Sequence, residues 1–249
     1  MFSMTWRRPI LHANVPRALS RSLGSSASIS LARESLRTAQ AVCFDVDSTV
    51  ITEEGIDVLA AHCGAGEAVA ELTAKAMGGT MLFQDALAAR LDLIRPSMND
   101  ITDCLADHPP QLTPGVHELI DALHERGTAV YLVSGGFRQM INPIAERLSI
   151  PLDRIYANNL IFNEDGSYQG FDPTELTSMD GGKPRVIERL KAEHGYEPVV
   201  AIGDGVTDMQ ASPPAEAFIG FGGVACREPV KNGADWFVTD FTELVQIVK

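Results

Sequence analysis

The chain has 249 residues, of which 45% are hydrophobic and 21% charged, and its formal net charge is −13. This length and composition suffice for a buried core. No apolar run approaches the roughly 20 residues of a membrane-spanning helix, and an acidic chain lacks the basic surface on which nucleic-acid affinity rests. We therefore expect a soluble globular protein with no membrane span and no nucleic-acid partner.

The first 38 residues differ in composition from the rest. They carry six Arg and one Glu, a balance of +5, so the remaining chain carries −18 of the net charge. A segment rich in Arg and Ser, without the apolar centre of a secretory signal, is typical of an organelle transit peptide. We predict that residues 1–38 are a disordered transit peptide, and the Ser-rich run SRSLGSSASIS favours the chloroplast over the mitochondrion.

Two carboxylates, Asp45 and Asp47, directly follow the apolar run Ala41–Phe44. Such a run predicts a buried strand, and alternation along it places both carboxylates on one side. Because like charges repel at this distance, the pair requires a cation or a shared proton. The motif therefore fits a magnesium site with one carboxylate free to act as a nucleophile.

Two other interpretations of this motif were weighed. A calcium-binding helix-loop-helix loop that began at Asp45 would require Gly at its sixth position and Glu at its twelfth, where the chain has Val50 and Ile56. That loop is excluded. A surface turn rich in Asp remains open for the motif taken alone.

The stretch of residues 53–110 shows helical periodicity and no convincing strand. Gly and Pro divide it into four predicted helices, over residues 53–62, 66–77, 83–95 and 97–107. We therefore predict an all-helical cap at 53–110, inserted into a core formed by residues 39–52 and 111–249.

From Thr113 onwards, strand and helix patterns alternate. Apolar runs predict strands at 129–133, 198–202, 217–221 and 236–238, and residues 156–162 and 167–171 read as a hairpin. This pattern predicts an α/β fold with an open, mostly parallel, Rossmann-like sheet flanked by helices. The four cysteines show no CxxC spacing, which favours reduced, packed thiols.

Polar clusters fall at the ends of three predicted strands. They are Asp45 with Asp47, the run Ser134-Gly135-Gly136, and the run from Gly203 to Asp208. Carboxyl ends of parallel strands converge, so these clusters are expected to surround one ligand. Lys183 opens a helix nearby, where a cation and backbone N–H groups favour an anion. Together these groups describe phosphoryl transfer.

A series of short motifs supports this interpretation. Between Ala41 and Val248 the chain contains, in order, DVDSTVI, EEGID, AMGG, LTPG, SGGF, GGK, IGDG and FIGFGG. In this series the chain resembles the haloacid dehalogenase superfamily of phosphatases. The resemblance implies Mg²⁺-dependent hydrolysis of O-phospho-L-serine to L-serine and phosphate, the final step of serine biosynthesis, and it leaves a homodimer open.

The resemblance also implies roles for individual residues. Asp45 would attack phosphorus and become an aspartyl phosphate, while Asp47 would act as general acid and base. Asp45, Asp204 and the backbone carbonyl of Asp47 would hold Mg²⁺, and Asp208 would orient them. Residues implied to bind substrate are Glu54, Met77, Gly78, Phe83, Arg90, Ser134, Gly135, Gly136, Lys183 and Thr207. Within this set we expect Glu54 to pair with the substrate ammonium and Arg90 with its carboxylate.

Other functions stay open at this point. One is a related phosphatase or phosphotransferase that acts on another small phosphomonoester. Dehalogenation is disfavoured, because that branch of the superfamily requires neither Asp47 nor magnesium. A catalytically silent binding module on the same fold is the third alternative, and phosphate release with and without magnesium would distinguish it from an enzyme.

Overall fold

The computed structural model describes residues 26–75 and 82–249. The strands, in chain order, are β1 Ala41–Phe44, β2 Ala129–Phe137, β3 Ile155–Asn158, β4 Leu160–Phe162, β5 Tyr168–Phe171, β6 Val199–Gly203, β7 Ala217–Phe221 and β8 Trp236–Val238. Six of them form one sheet in the order β3-β2-β1-β6-β7-β8. Every neighbouring pair in this sheet is parallel. The predicted open parallel sheet is confirmed.

The helices either flank the sheet or form a helical insertion after β1. They are α1 Ser26–Thr38, α2 Gly55–His62, α3 Gly66–Lys75, α4 Phe83–Ile94, α5 Met98–Asp107, α6 Val116–Glu125, α7 Arg138–Arg147, α8 Gly182–His194, α9 Val206–Met209, α10 Glu228–Gly233 and α11 Thr242–Val248. No helix within the described ranges is both long and apolar enough to cross a membrane.

Strand β1 lies at the centre of the sheet and is buried on both sides. Val42 and Phe44 belong to the core on one face, and Ala41 and Cys43 to the core on the other. This double burial explains the uninterrupted apolar run in the sequence. In the strand order, the chain builds outward from β1 through β2 and β3, and then returns to build β6, β7 and β8 on the other side. Ligands of such sheets bind beyond the carboxyl ends at this switch point.

The N-terminal helix α1 packs against the sheet core. Ala32 and Leu36 are fully buried, and Ser28 Oγ donates a hydrogen bond to the carbonyl oxygen of Asp235 at 3.0 Å. The guanidinium of Arg33 also lies over the ring of Trp236 in β8.

The predicted disorder of residues 1–38 is therefore wrong for residues 26–38, which form α1. Ile29, Ala32 and Leu36 recur at helical spacing and pack on the core, which outweighs the Arg- and Ser-rich composition of the segment. Residues 1–25 lie outside the described part of the chain.

Helices α2 to α5 form a helical insertion, residues 55–107, between β1 and α6. Its apolar side chains, among them Leu59, Leu87 and Ile101, share a core with Leu160 and Tyr168 of the β4–β5 pair. The predicted hairpin differs from the structure in one respect. Residues 155–158 belong to the main sheet as β3, and only β4 pairs with β5.

Two short linkers join the helical insertion to the core, and they run side by side. Ile51 of the first linker pairs with Leu112 of the second in an antiparallel bridge. The Thr52 N–H donates to the Gln111 carbonyl at 3.0 Å. The chain therefore passes between the core and the insertion at one narrow pair of linkers.

Candidate active site

Three carboxylates meet at the switch point of the sheet. Asp45 follows β1, Asp204 follows β6, and Asp208 lies in α9. Each offers an oxygen atom within 4.8 Å of the others. Asp204 and Asp208 are 2% and 3% exposed. Gly203 permits this approach, because a Cβ at that position would lie 2.3 Å from Cγ of Asp208.

Lys183, in the first turn of α8, neutralises part of this charge. Its Nζ lies 2.8 Å from Oδ1 of Asp45 and also contacts Oδ1 of Asp208. Burial lowers the pKa of Lys183, but the charges of Asp208 and Asp45 outweigh burial and hold that pKa above its usual value. Lys183 is therefore a cation held beside Asp45.

Arg227, in the loop after β7, approaches the carboxylates from another direction. Its Nε donates to Oδ2 of Asp204 at 2.9 Å, and an Nη atom donates to Oε1 of Glu54 at 3.1 Å. Thr49 Oγ1 donates to the second oxygen of Asp204 at 3.1 Å. Burial and the charge of Asp45 nevertheless raise the pKa of Asp204.

Sequence reasoning missed Arg227 and Thr49. Thr49 lies within the first motif but was assigned no role. Arg227 belongs to no quoted motif, and the one available signal was its place in a loop after a strand adjacent to β6.

Asp47 does not belong to the three-carboxylate cluster. The Gly55 N–H donates to its Oδ1 at 2.7 Å, and the Ser134 hydroxyl lies 3.4 Å from its Oδ2. Burial and then the charge of Asp45 raise the pKa of Asp47 to about 7. A carboxyl with this pKa exchanges its proton near neutral pH, as a general acid and base must.

The chain reaches this geometry through a tight turn over residues 46–50. Ser48 has a positive φ of 52°, in the left-handed region that only a locally supported residue adopts. Its hydroxyl donates to Oε1 of Glu54 at 2.8 Å. The turn therefore carries the chain from β1 towards the helical insertion and holds Glu54 near the cluster.

The Ser134-Gly135-Gly136 run belongs to β2, which continues beyond the predicted strand of residues 129–133. Ser134 is fully buried, and its Oγ accepts the N–H of Gly136 at 2.9 Å. The side chain of Asn158, also fully buried, donates to the Gly135 carbonyl at 2.7 Å. A Cβ at Gly136 would lie 2.9 Å from Oδ2 of Asp47, so a side chain at this position would displace the Asp47 carboxylate.

The helical insertion contributes Phe83 and Arg90 from α4. A Cβ built at Gly135 would lie 2.9 Å from Cζ of Phe83, which places the ring against the β2 end. Burial lowers the pKa of Arg90, while the charges of Asp57, Glu54 and Asp47 act in the opposite direction.

The remaining predicted site residues are less closely placed. Thr207 is exposed, at the start of α9. Met77 and Gly78 lie outside the described residues. The structure thus brings together Asp45, Asp47, Glu54, Phe83, Arg90, Ser134, Gly135, Gly136, Lys183, Asp204 and Asp208.

The carboxylate cluster fits a magnesium ion. Its donors are hard oxygen atoms from separate elements, the ligand type that Mg²⁺ prefers. Asp208, which is predicted to orient the ligands, has its carboxylate in the same cluster and also contacts Lys183. The switch point of the sheet thus holds these acids, one lysine and a glycine-rich strand end. This arrangement identifies the molecule as a Rossmann-like α/β enzyme.

Comparison with known proteins gives the family. Residues 42–212 match the model of the haloacid dehalogenase-like hydrolases. The chain belongs to this family, as its motifs predicted.

Two relatives and one solved structure illustrate the likeness. Over 208 residues the chain is 53% identical to a phosphoserine phosphatase of Rattus norvegicus, covering 84% of this chain and 92% of that protein. It is 47% identical over 243 residues to a chloroplastic phosphoserine phosphatase of Arabidopsis thaliana, covering 96% of this chain and 82% of that protein. A substrate-bound phosphoserine phosphatase structure, 28% identical, matches with a TM-score of 0.74 over 85% of this chain and 99% of that one.

Proposed function

We propose that this hydrolase cleaves O-phospho-L-serine to L-serine and phosphate, with Mg²⁺, through an aspartyl phosphate on Asp45. The observation that carries the proposal is the set of charged groups around Asp45. Lys183 lies 2.8 Å from its Oδ1, two further carboxylates adjoin it, and Asp47 follows two residues later. Relatives named phosphoserine phosphatase, at 53% and 47% identity, support the choice of substrate.

The phosphoryl group would be held from the core side. Lys183 and the Ser134 hydroxyl would bind its oxygens, with help from the backbone of Gly135 and Gly136. Asp45, Asp204 and the backbone carbonyl of Asp47 would hold Mg²⁺, and Asp208 would orient this arrangement. When bound, the ion supplies positive charge to the phosphoryl oxygens and permits the approach of the anionic nucleophile.

Hydrolysis would proceed in two displacements. In the first, a carboxylate oxygen of Asp45 bonds to phosphorus, the bond from phosphorus to the serine oxygen breaks, and Asp47 gives that oxygen its proton. In the second, the Asp47 carboxylate accepts a proton from water as the water oxygen bonds to phosphorus. The bond to Asp45 then breaks, which releases phosphate and restores both carboxyl groups.

Selectivity for serine would come from the helical insertion, acting as a cap over the core. Glu54 would pair with the substrate ammonium, and Arg90 would bind its carboxylate through two parallel contacts. Phe83, with Met77 and Gly78, would line the cap side, and Thr207 would lie near the substrate. Closure of the cap would exclude water and strengthen these pairs.

The same proposal assigns the reaction to the final step of serine biosynthesis, in the chloroplast. The likeness to a chloroplastic relative across 96% of this chain supports this location. Because α1 belongs to the fold, the targeting signal would lie within residues 1–25.

Covalent trapping tests the proposal. Phosphoserine labelled in its phosphoryl group should leave label on Asp45 after an acid quench, and Asp45→Asn should lower turnover by at least ~10³-fold. Asp103→Asn removes an exposed acid from α5 and serves as the matched control. Label on another residue, or near-normal turnover by Asp45→Asn, would contradict the mechanism. Faster turnover of another phosphomonoester in a substrate panel would contradict the assigned substrate.

A further inference from the structure

A cavity of about 350 Å³ lies between the helical insertion and the core. Both linkers contribute to its wall, the first through Ile51 and Glu53 and the second through residues 108–111. Its other sides come from α2, through Val58, and from α7, through Ile144. We call it the hinge cavity, because it is bounded by both chain crossings between the insertion and the core. Its volume is in the range of small-molecule sites.

The hinge cavity is distinct from the candidate active site. Asp45, Lys183 and Asp204 are absent from its described lining, and only Asp47 and Gly136 belong to both. The Asp47 side chain therefore stands between the two spaces. A molecule in the hinge cavity would touch the active site through Asp47 without occupying the place of the phosphoryl group.

Charge and polarity indicate which ligands the cavity would accept. Its inner wall is apolar, built from side chains such as Ile141 and Ile144, which are 3% and 1% exposed. Three acids, Asp47, Glu53 and Asp107, line it with one imidazole, that of His108, and the described lining residues include neither Lys nor Arg. An anion would therefore be repelled, whereas an apolar body would be buried and an amine would meet carboxylates.

Hydrogen bonds across the linkers show what such a ligand would stabilise. The Gln111 N–H donates to Oε2 of Glu53 at 3.2 Å, and the Arg147 side chain donates to the Pro110 carbonyl at 2.6 Å. The linkers are thus tied to each other and to α7 beside the cavity. A molecule packed against both linkers would add contacts that exist only in this arrangement, and so would oppose any movement of the insertion relative to the core.

We propose that the hinge cavity is an inhibitory site for a compact apolar amine. Occupancy holds the insertion against the core, so that release of product slows while the active site stays free of the ligand. This inhibitory role rests on the proposed function, in which the insertion acts as a cap. The expected signature is a fall in kcat for phosphoserine with little change in KM.

Three probes of equal size test the binding: 2-phenylethylamine, 2-phenylethanol and phenylacetate, titrated onto the full chain by calorimetry or NMR. The amine should bind about fivefold more tightly than the alcohol, as expected for one accessible ion pair, and phenylacetate should bind weakest. Asp107→Asn should reduce the difference in affinity between the amine and the alcohol. Val58→Phe should fill the cavity and abolish binding, whereas Leu93→Phe, an aliphatic-to-aromatic change at an exposed position of the same insertion, should not.

The two halves of the test fail separately. Binding is measured without turnover, so an error in the assigned substrate leaves it untouched. Equal binding of all three probes, or unchanged amine binding by both Val58→Phe and Asp107→Asn, would overturn the site. Amine binding that leaves kcat unchanged, or that competes with phosphoserine, would overturn the inhibitory role.

Discussion

The ring of Phe83 lies against the backbone of Gly135, so close that an added Cβ would come within 2.9 Å of its Cζ. Phe83 belongs to the helical insertion, and Gly135 to the strand end expected to bind phosphate. This contact therefore links the position of the insertion to the geometry of that strand end.

Gly135→Ala should separate these two parts. The added methyl group meets the Phe83 ring and displaces either the ring or the backbone donor, which should lower kcat/KM by about 10- to 100-fold. Phe83→Leu removes the obstructing ring, so the double variant should recover part of that loss. A double-mutant cycle measured on kcat/KM checks the coupling. If the two losses simply add, the contact does not limit catalysis.

Glu54→Gln and Arg90→Met should act on substrate selectivity. Loss of one charged contact that the closed cap would bury costs about 2 to 5 kcal/mol, or roughly 30-fold to several thousand-fold in kcat/KM for phosphoserine. Turnover of p-nitrophenyl phosphate should be largely spared, because that substrate has neither an ammonium nor a carboxylate.

The comparison needs a control, because Glu54 also accepts hydrogen bonds from Ser48 and Arg227. Arg227→Met removes one of these donors and leaves Glu54 in place. Equal losses on both substrates in Glu54→Gln, matched by Arg227→Met, would assign Glu54 to the support of the metal site.

Two truncations should separate the targeting signal from the fold. Removal of residues 1–25 should leave the melting temperature and kcat nearly unchanged. Removal of residues 1–38 uncovers the surface beneath Ala32 and Leu36 and should cost about 3 to 5 kcal/mol of unfolding free energy. For a domain of this size, that is a fall of roughly 10 °C in melting temperature, measurable by calorimetry. Equal melting temperatures for the two truncated chains would contradict the packing of α1.

Magnesium should stabilise the fold through the carboxylate cluster. At an ion concentration about 100 times the Kd, binding should add about 2.7 kcal/mol to the free energy of unfolding, seen as a higher melting temperature. Asp204→Asn should abolish most of this increase, because it removes a charged ligand. Asp103→Asn should keep it. A magnesium-induced increase that survives in Asp204→Asn would place the ion elsewhere.

The acids of the site could be predicted because they follow from sheet geometry. Apolar runs predict β1 and β6, and the carboxyl ends of parallel strands lie at one edge of the sheet regardless of the conformation of the connecting loops. Asp45 and Asp204 are 159 positions apart in numbering, yet both directly follow central strands. The Ser134-Gly135-Gly136 run was placed at the site by the same argument.

The missed features depend on contacts between distant segments. Arg227 reaches Glu54 and Asp204 from a loop whose sequence carries no periodic signal, and only the folded chain brings the three together. In α1, the composition indicated a targeting signal, while the spacing of Ala32 and Leu36 indicated a packed helix. Local composition does not report which surface a helix will cover.

Helix α1 contacts β7, β8 and α11, so the first described helix is covered by the last elements of the chain. Its Arg33 guanidinium lies 4.8 Å from the centre of the Trp236 ring. During synthesis, the apolar face of α1 therefore stays partly exposed to solvent until β7, β8 and α11 have left the ribosome. Such long-range contacts slow folding and leave apolar surface exposed on the incomplete chain. A nonsense mutation that removes only α11 would then leave the sheet intact but part of the apolar surface of α1 exposed, and the truncated chain would be prone to aggregation.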